Sequence, residues 1–409
     1  MQKKINVIGL GKLGACTAVC MASKGFKIMG YDISKETIFS LKKNKAHIVE
    51  KDFQNYLNRS KNNLSFTNEI EDILKHSDTS FIIVPTPSKK DHTFDNSFII
   101  KVLTEMSLAI KKLKIKNHHF VINSTVMPTS CNKVFIPLIE KESSLKYLRD
   151  FSVSYNPEFI ALGSVIKDFL NPDMILIGET SKNDGNKLEY IYKRACENKP
   201  VINRMSLVSA EITKISLNAF VTMKISFANS IKNICLDTPG SNANDITKAL
   251  GTDKRISPFY IKPGLPFAGP CFPRDNKALI SFIKKKNNFF YLAESTDNVN
   301  ELHRKRILTN IKSLISKNNY KKIGIHGIAF KEGSNVTEKS ITMDILEKFP
   351  NTKFYLFDPY FKEFKYFKNS SLLNNRKDLL KCDLIIINHM LKSNQRKFFK
   401  DKNILDLWN

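Results

Sequence analysis

The tightest constraint on the fold of this chain is a ten-residue stretch near its start, Ile5-Asn6-Val7-Ile8-Gly9-Leu10-Gly11-Lys12-Leu13-Gly14. An apolar strand runs into a G-x-G-x-x-G turn, and the turn opens a helix rich in Ala, Cys and Met. A second apolar run follows, Phe26-Lys27-Ile28-Met29-Gly30-Tyr31, and ends in Asp32, 18 residues after the last glycine. Glycine spacing alone is weak. Set between a strand and a helix, with an acid closing the next strand, it marks a dinucleotide-binding βαβ unit. Gly9 permits the tight turn, Gly11 lets the backbone approach a pyrophosphate, and Gly14 lets helix and strand pack closely. Leu13, inside the turn, is counted with the cofactor contacts. The helix start supplies amide donors and a positive dipole for phosphates. Asp32 would hold both ribose hydroxyls and repel a 2′-phosphate, which favours NAD over NADP.

The same rhythm continues. Phe81-Ile82-Ile83-Val84 and His119-Phe120-Val121-Ile122 are continuous apolar runs, as in strands covered on both faces. They end in Pro85-Thr86-Pro87 and in Asn123-Ser124-Thr125-Val126, while Phe151-Ser152-Val153-Ser154-Tyr155 leads into Asn156-Pro157-Glu158. Ligands of open α/β sheets bind beyond the carboxyl ends of the strands, where Thr86, Thr125 and Glu158 stand. From about 206 to 236 the apolar spacing becomes helical, and about 30 residues of helix span roughly 45 Å. Shorter helices are expected near 245–250, 275–286 and 299–316. At Lys322 the α/β rhythm restarts without a glycine fingerprint. The expected fold is α/β: two Rossmann-like parallel-sheet domains joined by a helical domain with a long central helix. The expected segments are 1–203 for NAD, 204–318 for the helical and dimerisation region, and 319–409 for a second nucleotide-handling domain.

Composition excludes several classes. No stretch of about 20 apolar residues is present, so no membrane span is expected, and residues 1–4 lack a signal-peptide pattern; a cytoplasmic location is expected. The formal charge of +26 comes from lysines spread along the whole chain, a solvated surface rather than a nucleic-acid module. The seven cysteines are scattered and form no CxxC pair, so neither a disulfide framework nor a metal site is expected.

One cysteine stands apart. Cys271 lies in Gly269-Pro270-Cys271-Phe272-Pro273-Arg274-Asp275. Proline fixes φ and removes a donor, so the run is expected to be a rigid, irregular loop presenting a sulfur.

With these pieces in order the chain resembles the UDP-glucose/GDP-mannose dehydrogenase family over nearly its whole length, most like its UDP-glucose branch. The landmarks are the glycine turn with Asp32, Pro85-Thr86-Pro87, Ser124-Thr125-Val126, Asn156-Pro157-Glu158-Phe159, Phe169-Leu170-Asn171-Pro172-Asp173, Ala210-Glu211-Ile212-Thr213-Lys214 with Asn218-Ala219-Phe220, Asp253-Lys254-Arg255-Ile256, the Cys271 run and Ala329-Phe330-Lys331. The resemblance implies oxidation of the C6 primary alcohol of a nucleotide sugar to the uronate by two NAD⁺, through a thiohemiacetal and a thioester on Cys271. Lys214 and Asn218, one helical turn apart, would stabilise the developing oxyanion. Asp275 would position water and tune Lys214, and Glu158 and Thr125 would assist proton transfer and hydrolysis. Arg274 takes the place of a family lysine near the cofactor phosphates, where Thr86 and Thr125 are also expected.

Phe159, Ile160, Lys262, Phe267, Gly269 and Lys331 match substrate contacts, and Arg255 matches an arginine that reaches the neighbouring subunit, implying at least a homodimer. Three places depart from the family pattern: Ala268-Gly269-Pro270 before the cysteine, Leu162 for a glutamate, and Asn335-Val336-Thr337-Glu338 where the family carries an arginine. They leave sugar and base open. The competing readings are another UDP- or GDP-sugar as substrate, a single-step hydroxyacid-type dehydrogenase, and a binding protein that kept the fold.

Overall fold

The structure, a computed structural model, describes residues 3–160, 163–286, 288 and 290–408; Leu162 lies outside them. Contacts divide the chain into two compact units, Met1–Ile215 and Ser216–Asn409.

The first unit is built on eight strands: β1 (Lys4–Ile8), β2 (Lys27–Tyr31), β3 (Leu64–Thr67), β4 (Thr79–Ile82), β5 (His118–Ile122), β6 (Phe151–Tyr155), β7 (Met174–Glu179) and β8 (Val201–Ser206). Their order is β3-β2-β1-β4-β5-β6-β7-β8. Pairing is parallel throughout except at the β6–β7 junction, where Tyr155 meets Gly178 antiparallel. Alternation along the buried strands sends Val7, Phe81 and Val121 into one core and Ile8, Ile82 and Ile122 into the other. Burying each such side chain contributes about 1.5–3 kcal/mol. A charge at Phe81 or Phe120 would therefore break the sheet. The chain order reverses between β1 and β4, the switch point where such sheets bind ligands.

The second unit repeats the plan with β9 (Lys322–His326), β10 (Lys353–Phe357), β11 (Ser370–Leu372), β12 (Leu384–Ile387) and β13 (Ile404–Asp406), ordered β11-β10-β9-β12-β13. All its pairs are parallel. Trp408, the single tryptophan of the chain, packs so tightly on Gly264 that a Cβ there would lie 2.3 Å from the indole. Its Nε1 donates to the Asn388 carbonyl at 2.7 Å.

The long helix runs Leu207–Leu236, 30 residues, one residue later than its sequence pattern begins. The three shorter helices are Ala243–Thr252, Phe272–Lys284 and Tyr291–Asn318.

One local expectation fails. The run after Cys271 is not an irregular loop but the first turn of the Phe272–Lys284 helix, with Cys271 as its N-cap. Proline is tolerated in a first helical turn, because the amide it lacks would have had no partner there. Among the described residues no helix is long and apolar enough to cross a membrane.

Candidate active site

The glycine turn sits at the carboxyl end of β1. Gly9 takes φ +89°, a left-handed value, and a Cβ on it would fall 2.3 Å from the Ile83 carbonyl oxygen; any other residue would be strained and crowded. A Cβ on Gly14 would fall 1.9 Å from the Gly9 carbonyl oxygen, so the helix lies on the turn only because position 14 has no side chain. Gly11 is different: a Cβ there would meet nothing within 4 Å.

The Lys12–Ser23 helix that follows has no side-chain cap and no acid in its first turn. The helices beginning after Ser34, Ser181, Asn242 and Ser340 are all capped by those side chains. First-turn amides without a cap are donors in want of an anion. Asp32 takes the amides of Leu10 (2.7 Å) and Ser34 (2.8 Å) on its two oxygens and stays partly exposed. Thr86, beyond β4, donates to the Thr125 carbonyl beyond β5 at 2.8 Å. Leu13 is half-buried against the first core. The open face at Gly11, the uncapped amides and the acid after β2 fit the pyrophosphate and ribose of a dinucleotide.

Also in the first unit, the buried Lys214 Nζ donates to the Glu158 carbonyl at 2.6 Å and stands 4.5 Å from the centre of the Phe159 ring. The Glu158 carboxyl is pushed up to about 7, mainly by burial, against the opposing pull of the Tyr192 hydroxyl and of Lys214. The Tyr192 hydroxyl donates to Asn156 Oδ1 (2.6 Å) and stands 3.2 Å from Glu158 Oε1, while Asn123 donates to the Asn156 carbonyl (2.6 Å). The segment carrying Glu158, Phe159 and Ile160 is thus held from beneath by a tyrosine that no motif contains. Glu211, fully buried one turn before Lys214, accepts the amides of Thr129 (2.5 Å) and Cys131 (2.8 Å) and so ties the long helix to the segment after Thr125. It lies inside a landmark run, yet its partners are some 80 residues away and left no trace in the sequence.

In the second unit, Asn218 Nδ2 donates to Asp275 Oδ2 at 2.7 Å, and Arg274 Nε donates to Asp275 Oδ1 at 3.1 Å. Asp275 is buried in the first turn of the helix that Cys271 opens, and its amide donates to the Cys271 carbonyl at 2.8 Å. Asn218, Arg274, Asp275 and Cys271 are therefore brought together. Of the seven cysteines, Cys271 is the exposed one; Cys235 is intermediate and the other five are buried.

Gly269 gives its amide to the Glu338 carbonyl, and a Cβ on it would fall 2.5 Å from the Phe330 ring. Phe267 is buried, its backbone exchanging two hydrogen bonds with the Asn300 side chain. Lys331 is exposed, and Lys262 Nζ stands 3.1 Å from Met390 Sδ. Arg255 projects from the surface in a two-pronged pair with Asp253. Among the described residues no group of three His, Cys, Asp or Glu could hold a metal ion.

Residues 3–196 match the NAD binding domain of the UDP-glucose/GDP-mannose dehydrogenase family, and residues 208–302 match its central domain. The chain belongs to that family. It is 33% identical to the GDP-mannose 6-dehydrogenase of Pseudomonas aeruginosa, over 84% of this chain and 78% of that one. It is 31% identical to the UDP-glucose 6-dehydrogenase of Rickettsia bellii, over 93% and 86%. A UDP-glucose dehydrogenase from Pyrobaculum islandicum superposes with a TM-score of 0.87 at 25% identity, covering 100% of this chain and 95% of that one. The cofactor is NAD, and the activity is that of a nucleotide-sugar dehydrogenase. A single-step hydroxyacid dehydrogenase is not favoured.

Proposed function

We propose that this chain oxidises the C6 alcohol of UDP-glucose to the carboxylate, with Cys271 as nucleophile. The observation that carries the reading is the exposure of Cys271 at the head of a helix, where the positive end of the dipole favours an anion. When bound at the glycine turn, NAD⁺ supplies a hydride acceptor. Lys214 and Asn218 stabilise the oxygen as the alcohol loses its proton and a hydride. The sulfur adds to the aldehyde carbon and gives a thiohemiacetal, and loss of a second hydride leaves the thioester. Water, activated by Glu158 or positioned by Asp275 and Thr125, displaces the sulfur and yields the carboxylate. Arg274 holds Asp275 in place.

Likeness to the Rickettsia and Pyrobaculum enzymes supports UDP-glucose; likeness to the Pseudomonas enzyme supports GDP-mannose as the second reading. The division into 1–203, 204–318 and 319–409 remains our proposal, as does a cytoplasmic site of action. A homodimer is also proposed. On the long helix Phe220, Phe227 and Ile234, seven residues apart, are 60%, 49% and 59% exposed, an apolar stripe that suits a second copy. Arg255 would then act in the neighbour's site.

The deciding measurement is the NADH yield with UDP-glucose and with GDP-mannose: two per sugar from the wild type, and at most one from Cys271→Ser. Two per sugar from Cys271→Ser would remove the thioester route. Mixing Arg255→Ala and Cys271→Ser subunits should restore part of the two-step activity, and a fully active monomer in sedimentation would end the dimer reading.

A further inference from the structure

The residue between the first two glycines of the turn is gripped from two sides, and one of the grips comes from outside every motif. His47 lies between the Lys35–Lys42 and Phe53–Ser60 helices, and its Nε2 stands 2.6 Å from the Leu10 carbonyl oxygen. A carbonyl only accepts, so Nε2 carries the proton and donates. Nδ1 is buried without a partner among the described residues, and the ring meets Phe53 edge-on at 6.1 Å between centroids. We propose that His47 is a positioning residue for the cofactor, aiming the Gly11 amide at the pyrophosphate of NAD.

A trans peptide points its C=O and its N–H in opposite directions. Drawing the Leu10 carbonyl onto His47 therefore turns the Gly11 N–H the other way, at the exposed glycine beside which a Cβ would meet nothing within 4 Å. The preceding peptide obeys the same rule. The Leu10 N–H is fixed on Asp32 Oδ2, and the Gly9 carbonyl is thrown back onto Gly14. Asp32 sets the first peptide and His47 the second. Without a donor at position 47 the Leu10–Gly11 peptide is free to swing, and binding must bear the cost of ordering it. Glu50, three residues on, is committed elsewhere: it accepts the Val165 amide at 3.0 Å and faces Lys12 at 4.0 Å.

This rests on the reading of the glycine turn as the cofactor site, so Gly11→Val serves as a reference in the same calorimetric titration of the full chain with NAD⁺. His47→Phe and the smaller His47→Leu, neither able to donate, should each raise the NAD⁺ Kd about tenfold. The Kd for UDP-glucose and kcat at saturating NAD⁺ should stay at wild-type values. His47→Gln, whose amide can donate to the same carbonyl, should recover most of the affinity. Wild-type NAD⁺ affinity in His47→Phe and His47→Leu, or a glutamine variant as weak as they are, overturns the positioning role. Unchanged affinity in Gly11→Val overturns the cofactor placement, and the role of His47 with it.

Discussion

After β1 and again after β9 the backbone makes the same turn and then ties it off in two ways. Gly9 donates to the Tyr31 carbonyl at 2.9 Å, and Gly327 donates to the Phe357 carbonyl at 2.9 Å. Both glycines have positive φ, +89° and +101°. The next amide in each case goes to the acid just beyond the neighbouring strand, Leu10 to Asp32 and Ile328 to Asp358. The next carbonyl is held by a distant donor, His47 in the first unit and Ser340 in the second. There the likeness stops. Gly11 is exposed and a helix starts at once, whereas the Ala329 amide is also drawn onto Asp358, its carbonyl accepts from His389, and the helix waits until Ile341. Asp358 is 2% exposed and holds three amides; Asp32 holds two and keeps a face open. One backbone device serves as an open cradle or a closed clasp, according to which way the third residue points its amide.

The largest effects should come from the glycines. Gly14→Val forces a side chain into the Gly9 carbonyl and should leave the first unit unfolded. Gly327→Val, with its Cβ 2.5 Å from the His389 ring, should unfold the second unit only. Hydrogen exchange resolved by peptide would report each unit separately, and protection lost from both units in either variant would show that the two turns are not independent.

A smaller contrast lies in the acids. Asp358→Ala strands buried amides and should cost the second unit about 3 kcal/mol or more, at roughly 1–3 kcal/mol per unsatisfied group. Asp32→Ala should cost about 1 kcal/mol and instead narrow the preference for NAD⁺ over NADP⁺. Urea midpoints and cofactor kinetics test the pair; equal stability losses would erase the distinction between cradle and clasp.

The mildest contrast is with pH. Burial pushes His118 in the first unit down to about 3 and His326 in the second down to about 4. Unfolded histidine takes up a proton near pH 6.5 while the folded forms do not. Stability is therefore intact above about pH 6.5 and is lost as pH falls, at about 1.4 kcal/mol per pH unit for each histidine. Glu158, raised to about 7, acts the other way: its share is lost as pH rises from about 4.5 to 7. His118→Asn should flatten the acid slope of the first unit and His326→Asn that of the second. Unaltered slopes would mean that these rings are already charged in the folded protein.

The first turn could be read from the sequence because its requirements are local: three glycines and an acid, each at a spacing that backbone geometry dictates. Its twin was visible only as a strand rhythm, since the clasp is closed by Ser340, His389 and Asn388, which come from other elements. The same limit explains Tyr192 and His47, whose contacts span 34 to 37 residues and look in sequence like an ordinary helix face and an ordinary linker. The Cys271 run failed differently. Two prolines so close together signal an irregular loop, yet Pro273 occupies a helical first turn that proline suits. The sequence pattern points to a presented sulfur, and Cys271 is exposed, but it does not reveal the helix that carries it.

Trp408 gives the molecule a private reporter. Its indole, wedged on Gly264 and bonded to Asn388, belongs wholly to the second unit, and the first unit contains no tryptophan. Indole emission therefore follows the second unit alone, while far-ultraviolet dichroism records both. In one titration with denaturant the two curves should separate if the units melt independently and coincide if they melt as one.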